Sequence, residues 1–153
     1  MAKRGQRSWD SAKSAEENAA ERLPQLARAY FRAGRALFAA KSTARTLHKF
    51  RLETKRFRYT LELFLPCYGP GLEERLKLLR NLQNLLGEIN DCATTQKLVG
   101  AMPLAVSKFL ERRIALKTRA LRTFWRQSFD AAGQESWWTN YLARFARKPR
   151  RTA

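Results

Sequence analysis

The chain has 153 residues, with 31 Lys and Arg against 13 Asp and Glu, giving a formal charge of +18 and an isoelectric point near 11.1. Its 44% apolar and 11% aromatic content can fill one core, so a single folded domain is expected. No apolar run approaches the ~20 residues of a membrane span, and the start MAKRGQRSWDSAKSAEEN lacks the apolar stretch of a secretory leader. A cytoplasmic location is expected. Self-repulsion at this charge weakens the compact state, so a polyanionic partner is the simplest reason to keep it.

Cys67 and Cys92 have neither CxxC nor Cys/His spacing, which favours reduced, partly buried thiols over a disulfide or zinc site. His48 is the only histidine, which removes most His-based metal and triad schemes. No metal site, catalytic residue or cofactor is expected.

In chain order, residues 1–10 read as a basic arm, 11–147 as one helical domain and 148–153 as a basic tail. Asp10 or Ser11 is expected to cap a first Ala-rich helix. Pro24 either kinks that helix or opens a second one running to about Ala40. The next helix should run from Ala44 to Leu65 and stop at Pro66, because Pro66, Gly69, Pro70 and Gly71 leave only a tight loop. A further helix spans Leu72 to Leu98 despite Gly87, which is expected at a close helix crossing. Another runs from Pro103 to about Ala132, ended by Gly133 at positive φ. Glu135–Arg147 forms a shorter aromatic helix. The fold class is therefore all-α: an antiparallel bundle of four long helices plus a short C-terminal one.

The cations form rows on these helices. At 100° per residue, His48, Arg51, Lys55, Arg58 and Glu62 occupy an arc of about 80°, beside the apolar stripe of Leu47, Phe50, Phe57, Leu61 and Phe64. Lys108, Arg112, Arg119, Arg122 and Arg126 share a second arc, and Arg28, Arg32 and Arg35 a third. A single such row is as readily an ordinary solvated face. Three of them suggest a basic groove between helices, whose low-dielectric walls focus the field on an anion. The 21 arginines against 10 lysines suit phosphate, because a guanidinium forks onto two oxygens and keeps its charge when partly desolvated.

Glu62 and Glu88 are read as salt-bridge partners within the basic rows in preference to a catalytic carboxylate pair. Tyr59, Trp137, Trp138, Tyr141 and Phe145 are assigned to core or docking in preference to base stacking. No GxGxxG or GxxxxGK loop occurs.

The segment LHKFRLETKRFRYTLELF, Leu47 to Phe64, resembles the signature helix of the CHAD family, the conserved histidine α-helical domain. LKLLRNLQNLLGEINDC, Leu76 to Cys92, is similar to that family's second signature segment. The resemblance implies an all-helical, non-catalytic module that binds inorganic polyphosphate in a basic cavity. It assigns phosphate contacts to His48, Arg51, Lys55 and Arg58, and less specifically to Arg56, Lys77 and Arg80, with Asp91 orienting a neighbouring arginine. CHAD modules commonly carry two signature helices and this chain carries one. That departure implies either a half-size pocket or a homodimer that rebuilds a two-fold cavity. The other reading of the same surface is a sequence-nonspecific nucleic-acid binder.

Overall fold

A computed structural model describes residues 9–148. Their regular structure is all helical, without a strand: α1 (Ala15–Ala39), α2 (Ala44–Leu63), the single turn α3 (Leu65–Tyr68), α4 (Pro70–Val99), α5 (Leu104–Phe124), a π-helical turn (Trp125–Phe129) and α6 (Gln134–Arg144). The expected basic arm and tail fall largely outside the described residues.

The start of α1 departs from expectation. Its N-cap is Ser14, whose hydroxyl accepts from the Glu17 amide at 3.2 Å while the Glu17 carboxylate accepts from the Ser14 amide at 2.8 Å. This reciprocal pair satisfies two orphan donors of the first turn at once, which neither Asp10 nor Ser11 can do. Asp10 belongs to the loop clamped by buried Asn18, which donates from Nδ2 to the carbonyls of Asp10, Lys13 and Ser14. Helix α1 then runs unbroken through Pro24, so residues 15–39 form one helix.

The α2–α3–α4 corner breaks where the prolines and glycines predict, but not as a bare loop: α2 ends at Leu63, Pro66 lies in the one-turn α3, and Gly69 at φ 74° leads into α4, which starts at Pro70 instead of Leu72. Helix α5 is shorter than expected. It passes at Trp125 into a π-turn closed by the Asp130 amide on the Trp125 carbonyl at 2.7 Å. Gly133 does take positive φ, 83°, but it is the N-cap of α6 instead of the end of α5.

The core is aromatic. Tyr30 and Phe31 of α1, Phe50 and Phe57 of α2, Trp125 and Phe129 of the π-turn and Trp138 of α6 form one cluster of buried rings. Burying a phenol needs a polar partner, and the Tyr30 hydroxyl meets Thr54 Oγ1 at 2.6 Å. Gly34 lets α1 approach Trp125, because a Cβ there would overlap the indole. Leucines 72, 76, 79, 82 and 86 of α4 fill the opposite wall of this core, which leaves another face of α4 to meet the polar edge of α2.

Candidate functional site

Two side-chain bonds fasten that edge. Nδ1 of His48 lies 2.7 Å from Asn90 Oδ1, and Arg58 Nε donates to Gln83 Oε1 at 2.9 Å. Residue numbers rise along α2 as they fall along α4, so the helices are antiparallel. With Asn90 Oδ1 as acceptor, His48 donates from Nδ1. Arg80, Gln83, Gly87 and Asn90 fall within an arc of about 80° on α4, so they form one face. The two bonds set a register that brings Arg51 level with the Gly87–Glu88 turn.

Arg51 and Lys55 thus lie between two anchored neighbours. Neither has a carboxylate partner among the described residues, and both are half-buried. Arg51 Nε is buried with no hydrogen-bond partner among the described residues. At the far end Arg58 also donates to Glu62 at 2.7 Å, and Glu62 lies 3.8 Å from Arg80, which pairs with Glu73. At the near end a pocket of about 220 Å³ is lined by Arg45, His48, Asn90, Thr94 and Lys97. From Arg45 to Arg58 the track covers about 20 Å of helix.

Arg45 and Lys97 were missed by sequence reasoning. Arg45 was visible in principle, because it stands three residues before His48 and extends the same row. Lys97 carries no such signal: it joins the pocket only through the α2–α4 register.

A family model described as CHAD domain matches residues 2–100. The chain belongs to the CHAD domain family. No curated protein and no solved structure matches it. The match spans both anchored helices of the seam and ends at the start of the α4–α5 turn, so α5 and α6 lie outside the CHAD match.

The remaining cations of this CHAD chain do not all join the seam. Arg56 lines an apolar groove between α1 and α2 with Leu26, Tyr30, Glu53 and Phe57. Lys77 is exposed on α4, at roughly 120° from Gln83. On α1, Arg28 and Arg35 line a separate cavity of about 600 Å³ with residues 130–140. Arg35 is occupied there, forking onto Asp130 and pairing with Glu135 at 2.5 Å. Carboxylates from the loop and α6 take up its charge and raise its pKa. Arg32 is exposed beside it.

The α5 row divides again. Arg122 donates to the carbonyls of Phe38 and Ala40 and to Ser42 Oγ, which makes it a cap for the end of α1. Lys108, Arg112, Arg119 and Arg126 are exposed. The expectation that three rows face one hollow is thus corrected: the α2 row faces α4, Arg28 and Arg35 face α6, and Arg122 is spent on the backbone. A helical projection shows which residues share a face but not what that face meets.

Glu62 and Glu88 act as salt-bridge acceptors, Glu88 taking Lys117 of α5 at 2.7 Å. Among the described residues no cluster of three or more His, Cys, Asp or Glu is placed to hold a metal. Asp91 is exposed and forms no ion pair among them, so it orients no arginine here. Gly87 marks no close crossing either, since a Cβ there would meet nothing within 4 Å. Both cysteines are free and buried, and burial raises the Cys67 thiol pKa.

Trp137 and Tyr141 are committed to docking α6. Between them lies Arg75, 3% exposed, its guanidinium 3.5 Å and 3.9 Å from their ring centres. Arg75 donates to the carbonyls of Gly71 at 2.8 Å and Trp137 at 2.6 Å. Desolvation pushes its pKa down to about 10, so it is still a cation at neutral pH. Nothing in the sequence separated it from the surface arginines.

Proposed function

We propose that this CHAD chain binds inorganic polyphosphate along the α2–α4 seam, without catalysing its turnover. The observation that carries the reading is the placement of Arg51 and Lys55. They lie half-buried, without carboxylate partners among the described residues, between His48 and Arg58, each fastened to α4. Holding like charges together on a rigid helix costs stability unless an anion compensates.

Arg51 forks onto phosphate oxygens and Lys55 adds a point charge, while His48 holds α2 against α4 through Asn90. Arg45 and Lys97 receive the chain at the near end. Binding releases counterions and so weakens steeply with salt, as for other linear polyanions. Helices already in place avoid the ordering cost of a flexible basic segment. Arg28, Arg32, Lys108, Arg112, Arg119 and Arg126 add long-range attraction and do not form the site. A cytoplasmic protein held at polyphosphate deposits fits this reading.

The test is calorimetric titration with long-chain polyphosphate, wild type against Arg51→Ala/Lys55→Ala. The double variant should lose binding and keep its helical circular dichroism. Light scattering with and without ligand reports whether two chains pair, each supplying one signature helix.

One observation favours nucleic acid as the second reading. Tyr59 is 48% exposed with the Arg58 guanidinium 4.5 Å above its ring, a surface on which a base can stack. Single-stranded or duplex nucleic acid that displaces polyphosphate at equal phosphate concentration decides for it.

A further inference from the structure

Glycine inside a helix costs about 1 kcal/mol relative to alanine, so an interior glycine needs a reason. Two of this chain's glycines have an evident one. A Cβ on Gly34 would overlap Trp125, and one on Gly71 would lie 2.6 Å from Tyr141. Others serve at positive φ, namely Gly69, Gly100 and Gly133. Gly87 has neither reason: it sits in the middle of α4 without positive φ, and a Cβ there would meet nothing within 4 Å. Packing and backbone conformation would both accept alanine.

Its position supplies a different reason. Gly87 lies between Gln83 and Asn90 on the face of α4 fastened to α2. The register brings Arg51 level with it, and Arg51 Nε is buried without a partner among the described residues. The gap that Gly87 leaves in this face of α4 therefore stands level with a cation whose Nε has no hydrogen-bond partner among the described residues.

We propose that Gly87 holds open a notch that seats one phosphate group of the bound chain against Arg51, and that this notch restricts the track to slim, unsubstituted oxyanion chains. The inference rests on the polyphosphate reading of the seam. The α4 amides are engaged within the helix, so the notch contributes space and Arg51 contributes the donors. A bare phosphate chain passes between the helices there. A sugar-phosphate backbone carries bulk on every unit and does not, so the rejection is steric.

The test uses Gly87→Ala and Gly87→Leu in the full chain, read by thermal unfolding and by calorimetry with long-chain polyphosphate. Gly87→Ala should raise Tm, because alanine is the better helix former, and yet weaken binding several-fold. Gly87→Leu should weaken it by roughly tenfold or more, about 1.4 kcal/mol. Adding Arg51→Ala to Gly87→Leu should cost less than Arg51→Ala does alone, since both changes remove one contact.

Wild-type affinity retained by a folded Gly87→Leu protein overturns the notch and leaves the seam reading standing. Strictly additive losses overturn the link to Arg51. A wild-type chain that does not bind polyphosphate overturns the seam reading and the notch with it.

Discussion

Arg122 of α5 donates from Nη1 to the carbonyl of Phe38 at 2.8 Å, in the last turn of α1. Its Nη2 reaches the Ala40 carbonyl at 3.0 Å and Ser42 Oγ at 2.8 Å. The end of a helix leaves four carbonyls without intrahelical donors and concentrates partial negative charge. The last turn of α1 has no basic residue of its own. A guanidinium from another helix supplies both the donors and the charge, and ties α5 to the α1–α2 turn.

Arg122→Ala should therefore destabilise the fold by about 1 to 2 kcal/mol, the range for hydrogen bonds to a charged group reduced for partial exposure. Arg122→Lys should recover only part, since an ammonium cannot reproduce the fork. Arg112→Ala and Arg119→Ala, exposed on the same helix, should change stability by less than about 0.5 kcal/mol. Urea unfolding of the four proteins measures this. Equal losses for Arg122 and Arg112 would remove the capping role.

Arg75 makes a stronger case. It is buried between Trp137 and Tyr141 without a carboxylate partner among the described residues, and it bridges two carbonyls, one on α4 and one on α6. Arg75→Ala leaves a cavity and two carbonyls without their donors, so it should cost about 3 kcal/mol or more. Arg75→Lys should still cost at least about 1 kcal/mol, because a point charge cannot stack between two rings. Unfolding with tryptophan fluorescence as the probe reports both values and the release of Trp137.

These two arginines show where the sequence was legible and where it was not. Helix positions, the all-α class and the seam helix could be read because apolar spacing, prolines and glycines act locally on the backbone. Ser14 and Glu17 were equally readable as a capping box, and the choice of Asp10 or Ser11 overlooked that pattern. The destinations of individual cations were not readable. Arg35, Arg75 and Arg122 have the same side chain as Arg51, and only the partner brought to each by the fold separates a structural arginine from an unpaired one. The exit of α5 into a π-turn was hidden for the same reason, since it places Trp125 and Phe129 in a core assembled from three other helices.

Acid should weaken the α1 entry through Glu17. Its carboxyl is held below the usual range by the Ser14 amide and hydroxyl. A depressed folded value means that its contribution is present above the ordinary carboxylate pKa and is lost as pH falls through the folded one. Glu73, depressed by Arg80, behaves in the same way. Gln keeps the hydrogen-bonding shape of a protonated Glu, so Glu17→Gln should have a lower Tm than wild type at pH 7, with the difference closing toward about pH 3. A gap that persists unchanged at low pH would mean that charge at residue 17 is not what stabilises the helix start.

Glu62 holds two cations of the seam, Arg58 at 2.7 Å and Arg80 at 3.8 Å, and so competes with any anion for both. Removing its charge releases both guanidinium groups and deletes a repulsion felt by an incoming phosphate. Glu62→Gln should tighten polyphosphate binding several-fold at low salt, opposite to Arg51→Ala, which should weaken it. The two variants should also separate in salt dependence. Arg51→Ala removes one phosphate contact and should reduce the slope of log K against log salt by roughly 1, whereas Glu62→Gln should leave the slope equal or steeper. Titrations at three salt concentrations decide the matter. A Glu62→Gln protein that binds more weakly than wild type would show that the carboxylate positions Arg58 for the ligand instead of competing with it.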